Sequence, residues 1–370
     1  MIGFTKRLLA DLQDMPDGIA CSLEQLRRAD ILCIWGTGVA GQMICKSAVK
    51  RGIRPNLFIN GSLPAGTQEN LLGIPVISPE NIPEQAFIII AADRKYGIHN
   101  IIEKRYHNPY CYIDPLLFSQ YSDDRKQCVM KRYAEASDRI DRVFSALSDE
   151  RGKQTFRNVL IHRAVHRLEL LWAVYEKNQY FGNDLIAETG GGFADCGAYT
   201  GDTLRAFIGQ IGDRDYYYYA FEPEQENYLA LRNYVTEKEI GNVQVFDLGL
   251  WDRKDTLRFV ENEAGDTLAW KLGDTGGKDA GAIKVDSLDN VLQGREIGFI
   301  KMDIEGSELR ALEGARKIIE SCKPVLAISS YHELEHLWEV PLKMLELLPG
   351  CRLSCRHHSW NMADTVCYGI

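Results

Sequence analysis

The sequence predicts an α/β protein made of two Rossmann-like domains with a helical connector between them. Three observations carry this reading. Apolar strand-like runs alternate with helix-like stretches in two separate regions of the chain. Between them lies a charged and apolar stretch at helical spacing, in which Gly152 is the only glycine before Gly182. Finally, 370 residues exceed what one ordinary core uses.

The first region, residues 1–120, opens with the run ILCIWG, followed by a helix expected from about Val39 to Arg51. NLFIN comes next, then AFIIIAA and a helix through Ile101 and Ile102. These runs are continuously apolar, as expected for strands of a parallel sheet covered by helices on both faces. The connector, 121–182, holds RIDRVFSAL and RAVHRLELLWAVYEKNQ. His162 and His166 stand there at i and i+4, a spacing that suits a metal, but no third ligand is near in sequence, so a solvated or core-edge helix is expected.

The second region, 183–370, restores the alternation. It begins with GGFADCG, a helix near Leu204 to Ile208, YYYYAFEP and a helix through Tyr228 to Val235. NVQVFDLGL, IGFIKMDIEG, PVLAISSYHE and a final pair of strand-like runs follow.

Composition narrows the function. A net charge of -9 argues against a protein whose task is to neutralise phosphates, so no nucleic-acid partner is expected. No run approaches 18 apolar residues and the N-terminal stretch has no long apolar core, so neither a membrane nor export is expected, and the reading is cytoplasmic. The ten cysteines are then expected as free thiols. Cys351, Cys355, His357 and His358 have metal-like spacing, but buried small side chains in an edge hairpin are the expectation there.

Two glycine turns compete for a cofactor. Gly36, Gly38 and Gly41 follow a strand and precede a helix with the spacing of a dinucleotide turn, yet the next strand ends at Asn60 where an acid would hold a ribose. The glycines then serve packing or another nucleotide-like ligand. In the second turn, FADCGAYTGDT, Asp195 precedes Gly197 and Gly201. An acid there repels a phosphate but tolerates an amine or sulfonium. Glu222 ends the following strand, with Pro223 after it, where a carboxylate accepts both hydroxyl hydrogens of a ribose. The alternative is that Glu222, Glu224 and Glu226 favour the next helix N-terminus.

The segments FADCGAYTGDT, YYAFEPEQENY, VQVFDLGLWD, IKVDSLDNVL, FIKMDIEGSELRALEGA and YHELEHLWEVP to RHHSWNMADTVCYGI resemble the FkbM-type S-adenosylmethionine-dependent methyltransferase family. The connector and QYFGNDLI resemble its two-domain members. The resemblance implies a seven-stranded, mostly parallel sheet with S-adenosylmethionine across the carboxyl ends of its first strands. It places Asp195, Gly197 and Gly201 at the methionine part and the turn, Glu222 at the ribose, and Asp247 to Gly249 near the adenine. It gives the first domain no firm task.

Methyl transfer to a hydroxyl needs a collinear arrangement and a base or metal beside the acceptor. A strand through FIKMDIE would put Lys301, Asp303 and Glu305 on one face. Asp303 would then be the base, orient the acceptor, or pair with Lys301. His332 is a second candidate base, or else a surface histidine at a helix start. A divalent cation on Asp303, Glu305 and His332 is conceivable, but spacing alone makes no site and no metal is assigned. The expectation is O-methylation of a small-molecule or glycan acceptor, with room for a homo-oligomer. A binding scaffold without turnover and an NAD(P)-dependent oxidoreductase using the first turn are the alternatives.

Overall fold

A computed structural model describes residues 3–64, 66–67, 69–92, 97–181, 190–211, 216–260, 271–272 and 279–370. It divides the chain into two compact units. The first takes residues 1–137, 157–175 and 359–363; the second takes 138–156, 176–358 and 364–370. The stretch read as a connector is thus shared between the units, and the 182/183 boundary lies outside the described residues.

The first unit contains strands β1 (Leu32–Trp35), β2 (Leu57–Ile59), β3 (Glu69–Leu71), β4 (Ile74–Ile77), β5 (Phe87–Ile90) and β6 (Tyr110–Tyr112). They form one sheet in the order β3-β4-β2-β1-β5-β6, parallel except for the β3–β4 pair. Successive β1 side chains enter different cores, Leu32 and Ile34 one and Cys33 and Trp35 the other. That two-sided burial is why the strand reads as an unbroken apolar run. The expected helix after Gly38 spans Val39–Lys50.

At the first turn Gly36 has φ +129°, and a Cβ on Gly41 would stand 2.0 Å from the Gly36 carbonyl oxygen. Close helix–strand contact accounts for Gly41 and the positive φ for Gly36, whereas Gly38 has φ −72° and open space where a Cβ would stand. His162 and His166 are buried, not at a solvated edge. The Asp114 carboxylate lies 3.2 Å from His162 Nε2, and the Asp114 amide donates to His166 Nε2 at 2.8 Å. Asp114 also caps the helix Pro115–Ser119, so this acid, distant in sequence, draws both imidazoles into the core.

In the second unit the strands are β7 (Gly192–Cys196), β8 (Tyr218–Phe221), β9 (Val243–Phe246), β10 (Gly249–Leu250), β11 (Asp255–Val260), β12 (Lys271–Leu272), β13 (Asp279–Asp286), β14 (Ile297–Met302), β15 (Val325–Ser329), β16 (Leu353–His357) and β17 (Thr365–Gly369). Seven form a sheet in the order β16-β17-β15-β14-β7-β8-β9, and β10, β13, β11 and β12 form a smaller one. The large sheet is parallel except around β17, which is antiparallel to both β15 and β16. Phe193 stacks on Tyr218 of one neighbouring strand and on Phe299 of the other, with centroids 5.0 and 4.7 Å apart, fixing the register of the three central strands.

Cys355 is buried in β16 opposite buried Cys367 of β17, as expected for a cysteine of an edge hairpin, whereas Cys351 precedes the strand and is half-buried. No described helix is long and apolar enough to cross a membrane.

Candidate active site

The chain runs β7, β8, β9 outward and returns as β14, β15 on the other side of β7, so the strand order reverses between β7 and β14. Open sheets bind ligands in the crevice at the carboxyl ends of such a reversal. A cleft of about 740 Å³ lies there, and its walls include Gly197, Glu222, Lys301, Asp303, Glu305 and Asp364.

β7 stops because Gly197, Tyr199 and Gly201 have φ of +82°, +47° and +89°. Gly197 is required for a second reason: a Cβ there would sit 1.9 Å from the Asp303 carbonyl oxygen. The turn feeds the helix Asp202–Ile211. Gly201 touches the helix behind it, where a Cβ would meet Leu231 at 2.6 Å.

Glu222 follows β8 directly. Its Oε2 accepts from the Tyr199 amide at 2.8 Å and its Oε1 from the Glu224 amide at 2.9 Å. Burial raises its pKa, and the two amides work the other way. The carboxylate is thus locked in one orientation at the cleft with lone pairs to spare. Asp195 differs. It is fully buried, takes the Tyr218 hydroxyl at 2.6 Å and pairs with Lys301 Nζ at 2.9 Å, and it is not among the residues lining the cleft. Lys301 therefore pairs with Asp195, not with Asp303 as one reading of the strand had it, and it also donates to the Gly197 carbonyl at 2.6 Å. Burial works against the ammonium, but Asp195 and Asp303 beside it hold its pKa above the usual lysine value. Asp247 is exposed, and its neighbours Leu248, Gly249 and Leu250 line the cleft.

β14 ends at Met302, and Glu305 has φ +54°, so the expected alternation of Lys301, Asp303 and Glu305 on one strand face stops after Met302. Asp303 nonetheless reaches the cleft. Tyr180 donates to its Oδ2 at 3.2 Å and Tyr331 to its Oδ1 at 3.1 Å. His332 stands behind it, outside the cleft lining, with Nε2 3.4 Å from Asp303 and Nδ1 3.0 Å from buried Glu308. Burial disfavours the charged imidazole, yet Glu308, Asp303 and Glu305 outweigh it and raise the pKa to about 9. Burial likewise pushes Glu308 up, but His332 and His336 pull it well below the carboxylate range. Asp303, Glu308 and His332 are close enough together to hold a metal ion. In this geometry, however, the imidazolium itself stands between the two carboxylates.

Sequence reading did not single out Tyr180, Tyr331, Glu308 or Asp364. All four stand in quoted segments, but Tyr180 and Asp364 lie far from β14 in sequence and only the fold brings them there.

Six carboxylates line the cleft, namely Asp202, Glu222, Glu224, Asp303, Glu305 and Asp364. Lys301, the one cation among the described lining residues, is already neutralised by Asp195. Such a surface repels phosphates and suits a cationic ligand. Apolar groups, among them Phe221, Leu248, Leu250, Ile283 and Val285, provide the remaining wall.

Residues 195–356 match the family model for the methyltransferase FkbM domain. No curated protein matches the chain. Among solved structures, the methyltransferase FkbM from Methylobacillus flagellatus KT is 23% identical, covers 99% of this chain and 98% of its own, and superposes with a TM-score of 0.73. Precorrin-6y C5,15-methyltransferase from Geobacter metallireducens GS-15 is 10% identical over 53% of this chain and 91% of its own, with a TM-score of 0.31. Fibrillarin from Aeropyrum pernix, bound to S-adenosyl-L-methionine, is 10% identical over 51% and 70%, at 0.32. Residues 195–356 thus match the methyltransferase FkbM domain, and the chain as a whole shares the fold of the Methylobacillus methyltransferase.

Proposed function

We propose that the protein O-methylates a hydroxyl of a sugar, glycan or secondary metabolite, with S-adenosylmethionine held in the cleft of the second unit. The observation that carries this is the acidic cleft with its one ammonium already neutralised, which fits a cationic nucleoside without phosphate. Bound there, the cofactor supplies an electrophilic methyl group.

The chain's residues do the rest. Glu222 accepts the ribose hydroxyls while its two backbone amides fix its aim. Gly197 keeps the turn backbone close to the ligand, and Leu248, Leu250, Ile283 and Val285 form an apolar wall for the adenine beside exposed Asp247. Asp195 acts indirectly, by holding Lys301 against the turn. Asp303 faces the acceptor end. Its two tyrosine donors and the imidazolium behind it orient the carboxylate, so His332 serves to position Asp303 and not to abstract a proton.

Calorimetric titration with S-adenosylmethionine, S-adenosylhomocysteine, NADH and NADPH tests the reading. Both adenosyl ligands are expected to bind and both nicotinamide ligands to be silent. Glu222→Gln should weaken adenosyl binding by about 10- to 100-fold, the worth of a charged hydrogen bond. A nicotinamide signal with adenosyl silence would move the function to Gly36, Gly38 and Gly41.

A further inference from the structure

We infer that Asp364 is the carboxylate that takes the proton from the acceptor hydroxyl. This rests on the methyl-transfer reading above. Asp364 immediately precedes β17, has a left-handed backbone at φ +56°, and its carbonyl accepts from the His358 amide at 3.0 Å, which closes the loop between β16 and β17. It lines the same cleft as Asp303.

The other five carboxylates of the cleft are engaged or exposed. Glu222 is fixed by two amides, and Glu224 accepts from the Asn227 side chain. Asp202 is exposed at the start of its helix, and the Glu305 side chain is 56% exposed with His332 beside it. Asp303 accepts a tyrosine hydroxyl on each oxygen with the His332 ring close to one of them, so both of its oxygens are already engaged. Asp364, by contrast, has Gln179 as its hydrogen-bond donor, lines the cleft together with Asp303, Asp202 and Tyr180, and feels the charges of Asp303, Asp202 and His332. Burial, and then the charge of Asp303, raise its pKa to about 6, close to where a base serves best at neutral pH.

In the step, the acceptor oxygen bonds to the methyl carbon, the carbon–sulfur bond breaks with its electron pair going to sulfur, and the hydroxyl proton passes to Asp364. The sulfonium becomes a neutral thioether, and the carboxylate becomes a carboxylic acid.

The test compares proton release on binding S-adenosylmethionine and S-adenosylhomocysteine, by calorimetry in two buffers of different ionisation enthalpy at pH 6. A carboxyl beside the transferred methyl releases its proton to the buffer when the sulfonium ligand binds but not when the thioether product binds. About half a proton should be released with the former only, and none in Asp364→Asn. With a methyl glycoside as acceptor probe, kcat/KM should fall tenfold per pH unit below about 6. The Asp364→Asn protein should lose that limb and about 100-fold in rate while keeping its S-adenosylhomocysteine affinity. Equal proton release with both ligands, or an acid limb that persists in Asp364→Asn and disappears in Asp303→Asn, overturns the assignment. Silence toward both adenosyl ligands overturns the methyl-transfer reading itself, and the assignment with it.

Discussion

Asp195 and Glu222 both read in the sequence as candidate cofactor-site acids, but their surroundings separate them: Glu222 lines the cleft and Asp195 does not. Lys301 meets Asp195 because β14 and β7 pair in parallel with those two residues in register, a fact held by sheet topology and not by any local pattern. Sequence periodicity therefore offered Lys301 the partner nearest in sequence, Asp303. His332 was legible as a candidate at the rim, but its charge state depends on Glu308, a residue that reads locally as no more than the start of a helix. The folded value of about 9 lies above the ordinary 6.5. Its stabilising contribution is therefore complete below about pH 6.5 and is lost as pH rises through about 9, an effect of at most about 3 kcal/mol. Denaturant midpoints should fall between pH 6.5 and 9.5 in the unmodified protein and stay flatter in His332→Gln.

At the scale of elements, the strand and helix runs were legible because continuous apolar stretches can only be buried on both faces, and the structure has strands β1, β2 and β5 and the helix Val39–Lys50 where they were read. The end of β14 was not. Glu305 at φ +54° and Gly306 at φ +97° turn the chain three residues after Met302, and a hydrophobicity period carries no signal for a dihedral. The two glycine turns look alike in sequence, but in each a different close approach demands the glycine. At Gly197 the constraint is double, a left-handed φ and a Cβ 1.9 Å from the Asp303 carbonyl oxygen. Gly197→Ala should lower stability by about 2 kcal/mol or more, read as a drop in Tm, and should displace Asp303 and reduce adenosyl affinity.

On the scale of the whole molecule, sequence reading drew contiguous domains, whereas each compact unit recruits chain from three places. Composition marks where helices occur but not which core their apolar faces enter, so the helical stretch could not be divided by inspection. A fragment starting at residue 183 lacks residues 138–156 and 176–182, which belong to the second unit. It is expected to melt without a cooperative transition in calorimetry, whereas the full chain is expected to melt cooperatively. The antiparallel strand β17 has a consequence for biosynthesis. Since it fills the place between β15 and β16, and residues 359–363 complete the first unit, neither unit closes while the ribosome is still making the earlier strands. Until β17 emerges, the nascent chain must carry the second unit's large sheet with β15 and β16 still unjoined, and aggregation in that interval is expected to exceed that of a protein whose domains mature one after the other.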